Sequence, residues 1–173
     1  MDTFVALLRA VNVGGTGKLP MEDLRGLCAR AGFRDVRTYI ASGNVVLRGA
    51  RDEQQVKRAL EAALHEYTGK PVGVVVRSAA QMREALAGNP FADSPPNRVV
   101  AIFLDDAPPA DALERAKGLR NERVVLGRRE IYIDYRDVEG MRDSKLQIPA
   151  AKAGTGRNMN TVARLAALAR ELA

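Results

Sequence analysis

Arg9-Ala10-Val11-Asn12-Val13-Gly14-Gly15-Thr16-Gly17-Lys18-Leu19-Pro20 decides how the first half of the chain is read, because it separates an apolar strand from an amphipathic helix. Upstream, Phe4, Val5, Leu7 and Leu8 make residues 3–10 apolar on both faces, the pattern of a central strand. Downstream, Pro20 suits the first residue of a helix, and Met21, Leu24, Leu27, Cys28 and Ala31 share one helical face. The glycines between them permit positive φ and let a ligand approach the backbone. The helix that follows turns unpaired N–H groups and a partial positive charge toward the loop, which favours an anion there.

Working outward, Gly32-Phe33 reads as a left-handed helix cap with its apolar contact. Strands are predicted over residues 36–41 and 45–48, joined by the tight turn Ser42-Gly43-Asn44. A helix over 52–68 presents Val56, Ala59, Leu60, Ala63, Leu64 and Tyr67 on one face and closes at Gly69; a strand over 71–77 follows. The order is βαββαβ, the ferredoxin-like unit with both helices on one face of an antiparallel sheet. The second half reads as a helix over 79–87, a turn at Asn89-Pro90-Phe91 and a strand over 98–104. After these come a helix over 110–119, a hairpin of residues 123–126 and 130–135 turning near Gly127, and a last helix bearing Val162, Leu165, Ala166, Ala169 and Leu172. That half is a variant of the first with its final strand missing or disguised within 145–148. The fold class expected is α+β: an N-terminal ferredoxin-like βαββαβ subdomain over residues 1–77, packed on a second, smaller α+β subdomain over 78–173 that ends in the C-terminal helix.

Composition bounds the function. Of 173 residues, 46% are apolar and 28% charged, which places the chain among ordinary globular proteins. The single cysteine excludes an internal disulfide framework and fits a cytoplasmic setting. No basic n-region precedes the first apolar run, so no secretory signal is expected, and no apolar run approaches the ~18 residues of a membrane span. A net charge of +6 suits an anionic partner, a small molecule or nucleic acid. With only six lysines among the 27 basic residues, and alanine abundant, a GC-rich coding bias explains the charge more simply.

In a βαββαβ unit the loop after the first strand, the turn between the second and third strands and the end of the second helix lie at one end of the sheet. That topology brings Asn12, Gly14, Gly15 and Lys18 beside Ser42, Gly43 and Asn44, with Gly69-Lys70 near by. A second glycine-bearing stretch, residues 152–161, runs into the last helix. Asn158, Asn160 and Thr161 can each cap that helix, and Arg157 offers a planar fork to a carboxylate or phosphate.

Familiar chemistry fails on inspection. A P-loop needs glycine where Asn12 stands and a hydroxyl where Leu19 stands, and the dinucleotide pattern breaks at Pro20. His65 has Arg58, Glu61 and Thr68 at helical spacing and reads as solvated; Cys28 reads as core. One Cys and one His cannot build the usual zinc shell. Asp105-Asp106 and the set Asp134, Asp137 and Glu139 read as acids of strand ends and loops rather than as a magnesium site. Aromatic residues are 5% of the chain, and the lysine/arginine-glycine-aromatic pattern of RNA-stacking sheets is missing.

Taken together, residues 9–15, Pro20-Met21, residues 38–45, Asn89-Pro90-Phe91 and residues 155–161 resemble, in order and over the whole chain, the bacterial domain-of-unknown-function 1697 family. The resemblance implies a cytoplasmic α+β protein of two small subdomains, the first ferredoxin-like, with no established activity and no cofactor named. Its hallmark positions fall on Asn12, Gly14, Gly15, Ser42, Gly43, Asn44, Arg157 and Asn158. The chain departs from the family pattern at Thr16-Gly17-Lys18, where an asparagine is common, and at Met159, where a tryptophan is common.

The functional expectation is a protein that binds an anionic ligand, whether nucleotide, phosphometabolite or nucleic-acid end. The site would combine the 12–18 loop and the Ser42-Gly43-Asn44 turn with Arg157 and Asn158. Two alternatives stand beside it: an enzyme of phosphoryl- or acyl-transfer type using the same cluster, and an interaction module in which the glycines serve only the turn into the first helix. The sequence names neither cofactor nor oligomeric state.

Overall fold

The computed structural model describes residues 1–9, 19–40, 43–138 and 143–173. Among the described residues it is an α+β protein with two four-stranded antiparallel sheets and four α-helices. Alpha-carbon contacts divide it into two compact units, Met1–Arg83 with Leu165–Ala173, and Glu84–Arg164.

The first unit follows the ferredoxin-like order. β1 (Asp2–Leu8) is buried from Thr3 onward, as a central strand must be. α1 (Met21–Arg30) starts one residue later than expected, with Pro20 as its flanking residue at φ −59° and ψ 141°. It ends as the glycine predicted: Gly32 at φ +96° donates its N–H to Ala29 O (3.1 Å) and Phe33 N–H reaches Cys28 O (3.1 Å). β2 (Arg34–Thr38) and β3 (Asn44–Gly49) follow. β2 begins and ends earlier than its hydrophobic pattern suggests, because a bulge between Arg34 and Arg37, with Asp35 at φ +51°, shifts its register. The connection to β3 is accordingly longer than a tight turn, with Tyr39 N–H bonded to Asn44 O (3.1 Å) and Ile40 at φ +48°.

α2 (Glu53–Thr68) opens on a capping box in which the Asp52 carboxylate accepts from Gln55 N–H and the Gln55 amide oxygen accepts from Asp52 N–H. It closes at Gly69 in the left-handed conformation. Val56, Leu60 and Leu64 are buried as expected, whereas Tyr67 is 45% exposed and donates its hydroxyl to Asp23. β4 (Val74–Ser78) completes a sheet of order β2-β3-β1-β4. Phe4, Ala6 and Leu8 of β1, Val45 and Leu47 of β3, and Val74 and Val76 of β4 form one core with the apolar faces of α1 and α2. The other face of this sheet is buried too, through Val5, Leu7, Val46 and Val75. The last turns of the final helix, which belong to this unit, bury Leu165, Leu168 and Ala169.

α3 spans Ala79–Ala87. In the second unit, β5 (Val99–Phe103), β6 (Arg123–Leu126), β7 (Glu130–Asp134) and β8 (Thr155–Asn158) form a sheet of order β6-β7-β5-β8. Two expectations are corrected here. The predicted helix over 110–119 is a run of turns, because Lys117 and Gln147 exchange both backbone hydrogen bonds (2.8 Å each) and draw the chain into an extended pairing. Gly118, at φ +74°, then lies against Lys145 O, where no helix could continue. The final strand is not at 145–148, which contributes that one bridge, but at β8, inside the glycine stretch read as the approach to a helix. α4 (Met159–Leu172) follows directly.

Candidate functional site

The first candidate lies where β1 ends. Leu8 N–H donates to Gly43 O (2.9 Å) and Arg9 N–H to Gly73 O (2.9 Å), so the chain enters its glycine stretch flanked by two glycine-bearing loops. The register agrees, pairing Leu7 with Asn44 and Leu8 with Val74. Arg9 packs closely on Gly73: a Cβ at 73 would stand 3.0 Å from Arg9 Cδ and would push that side chain aside. Gly43 takes φ +82°, a conformation that favours glycine. Asn44 is fully buried, and its side-chain nitrogen donates to Tyr39 O (2.9 Å), clamping the turn beneath Gly43. Asn12, Gly14, Gly15, Lys18 and Ser42 lie outside the described residues, as does Glu139.

Arg157 and Asn158 stand together on β8, in the second unit. Burial leaves Arg157 only 8% exposed and lowers its guanidinium pKa to about 10. Its Nη1 donates to Thr155 Oγ1 (2.7 Å) and Gly156 O (2.9 Å). Of the three residues able to cap α4, Asn158 takes the N-cap position, its Oδ1 accepting from Thr161 N–H (3.0 Å). Met159 is buried, and fills space as methionine does.

Arg77 draws no notice in the sequence, although it matches Arg157 position for position. It is the penultimate residue of β4, is 1% exposed, and donates Nη1 to the preceding carbonyl, Val76 O (3.1 Å). The residue after it, Ser78, caps α3 through Gln81 N–H (3.1 Å), as Asn158 caps α4. The signal lies in Arg77-Ser78 and Arg157-Asn158: a basic residue and a polar cap directly before each helix. Asp134, read as an acid of a strand end, is 2% exposed and accepts from Ser94 Oγ (2.8 Å) and Arg123 Nε (3.0 Å), with Arg123 lying 4.7 Å over the Phe91 ring. It is a structural anion within the second unit. Cys28 is buried, with its thiol pushed up to about 12 by that burial, and His65 is exposed on α2. Among the described residues no helix is long and apolar enough to cross a membrane.

Two antiparallel sheets of matching strand order, the first built as βαββαβ, define an α+β protein of ferredoxin-like organisation. The family model described as "Protein of unknown function (DUF1697)" matches residues 1–132, and the chain belongs to that family. The solved structure of the conserved bacterial protein SP0830 from Streptococcus pneumoniae is similar, with a TM-score of 0.80 at 22% identity, over 97% of this chain and 98% of that one. That likeness concerns the fold. No curated protein matches the sequence.

Proposed function

We propose that the chain binds an anionic ligand, a nucleotide, phosphometabolite or nucleic-acid end, at the end of the first sheet where the glycine stretch leaves β1. The observation that carries the reading is the pair of hydrogen bonds from Leu8 and Arg9 to Gly43 and Gly73, which brings two glycine-bearing loops to the end of β1. Backbone N–H groups, Lys18 and the start of α1 supply the positive potential an anion needs. Arg157 and Asn158 belong to the proposal through the family resemblance alone. A cytoplasmic setting is proposed with it, on the strength of the single buried cysteine.

The test is a thermal-shift panel of inorganic phosphate, nucleotides and short oligonucleotides at millimolar concentration. A ligand present at about 100 times its Kd stabilises by about 2.7 kcal/mol, which a melting curve resolves easily. The expected result is a shift that Lys18→Ala removes, with the unliganded melting temperature unchanged. A panel that moves nothing overturns the reading. It would favour an interaction module instead, which has one observation behind it: the Asn44 amide is already committed to Tyr39 O.

A further inference from the structure

We propose that the solvent-facing side of α1 and α2 is a docking surface for a second copy of this chain, with α2 crossing the partner's α2 antiparallel at Ala62. Arg58, Ala62 and Glu66 recur every four residues along α2, so they form one stripe, and all three are exposed. A twofold axis through Ala62 reverses that stripe. It sets Arg58 against the partner's Glu66 and Glu66 against the partner's Arg58, because both stand four residues from the axis.

Within one chain neither charge is served. Among the described residues neither Arg58 nor Glu66 forms an ion pair, and the helix between them holds the two about 12 Å apart. Glu61, the acid one turn beyond Arg58, is already taken: it accepts from Lys57 Nζ (3.2 Å) and from Val74 N–H (3.1 Å). One turn before Glu66 stand only Ala62 and Ala63. Glu66 also lies in the last turn of α2, where the helix dipole disfavours a carboxylate. An antiparallel partner brings a cation to that turn.

The surface between the two helices suits another helix. Ala31 of α1 and Ala62 and Ala63 of α2 line an open hollow of about 630 Å³, with Arg30 on one side and Glu66 on the other and no ion pair between them. Small residues at a crossing let helix axes approach to about 8 Å. Tyr67 supplies the apolar contact, since its ring is exposed beside the alanines and held in place by the hydroxyl's bond to Asp23. The hollow is too open, and too poor in convergent polar groups, for a small ligand. A solvated helix face explains the charges but not their order. Pairs that serve a lone helix stand three or four residues apart, as Lys57 and Glu61 do.

The test is sedimentation equilibrium of the full chain from about 5 to about 500 µM, the range of a weak dimer. The wild type should dimerise. Arg58→Glu and Glu66→Arg should each weaken the dimer at least tenfold, because the twofold turns both ion pairs into like-charge contacts. Mixed in equal amounts, the two variants should associate with each other, since every contact between them is again of opposite sign. Carrying both reversals on one chain should likewise restore self-association. Both sites are exposed, so each variant's melting temperature, taken at the lowest concentration, should match that of the wild type. A wild type that stays monomeric at about 500 µM overturns the proposal. A dimer that either single reversal leaves intact also overturns it, because the contact then lies on another face. So does a mixture of the two variants that remains monomeric.

Discussion

Asp134 shows how much one residue's surroundings decide. Burial alone would raise its pKa, but the Arg123 guanidinium, the Arg136 N–H and the Ser94 hydroxyl outweigh burial and hold the carboxyl below its ordinary value. Because the folded value lies below the unfolded one of about 3.9, the stabilisation is complete at neutral pH and lost as the pH falls through the folded value. Asp134→Asn should therefore cost about 1–2 kcal/mol at pH 7, at the modest end because Arg123 keeps 43% of its side chain in water. Urea midpoints of wild type and variant should converge below pH 4; a constant gap down to pH 2 would show that the charge contributes nothing. From sequence Asp134 was one acid among several, since Arg123 is brought opposite it only by the β6–β7 register. Asn44 and Asn158 were legible as polar residues at critical positions. Which backbone group each would satisfy was not, because the answer depends on φ and ψ at Ile40 and on where β8 stops.

The elements were easiest to read where a local signal sufficed and hardest where pairing between distant segments competed with it. The 53–68 helix carries its capping box, apolar face and terminal glycine within its own sequence, and it forms. Residues 110–119 have helical composition, but their end is claimed by Gln147. β8 was hidden because Thr155-Gly156-Arg157-Asn158 lacks the apolar alternation of a strand: a Cβ at Gly156 would stand 3.0 Å from Ile102 Cδ1, so a glycine lets β8 pack closely on β5 without displacing that side chain. Three left-handed glycines give a graded test of this competition. Gly69→Ala meets nothing within 4 Å and should cost only the backbone penalty, about 1 kcal/mol. Gly32→Ala adds a 3.2 Å approach to Arg51 Nη2, the movable end of a long side chain, and should cost slightly more. Gly118→Ala places its Cβ 2.1 Å from Lys145 O, so the backbone must part and the Lys117–Gln147 bridge with it. Its loss should be the largest of the three, about 3 kcal/mol or more. Denaturant midpoints that rank Gly118→Ala with Gly69→Ala would contradict the claim that this close contact keeps 110–119 from forming a helix.

Across the molecule, the order β2-β3-β1-β4 recurs as β6-β7-β5-β8, and in both sheets the last strand ends in a buried arginine and a polar cap before a helix. What differs is the covering. The first sheet is crossed by α1 and α2; in the second, the corresponding connections are the turns near 110–115 and the short 3-10 stretch Pro149–Ala153. The second core is correspondingly built on Ile131, Ile133, Leu104 and Ile148 with partly buried neighbours from these connections, such as Ala116 and Leu146. Fewer internal hydrogen bonds and thinner apolar cover lower the free energy of local opening. Amides inside α2 should therefore exchange at least a hundredfold more slowly than those of residues 105–122 and 143–154, a gap of about 2.8 kcal/mol. Within those connections, Lys117 and Gln147 should stand out as protected, since each donates to the other's carbonyl. Native-state hydrogen exchange resolves both points residue by residue. If the connections exchange as slowly as α2, the second sheet is held as firmly as the first. If Lys117 and Gln147 exchange with their neighbours, the bridge is too weak to have unmade the helix.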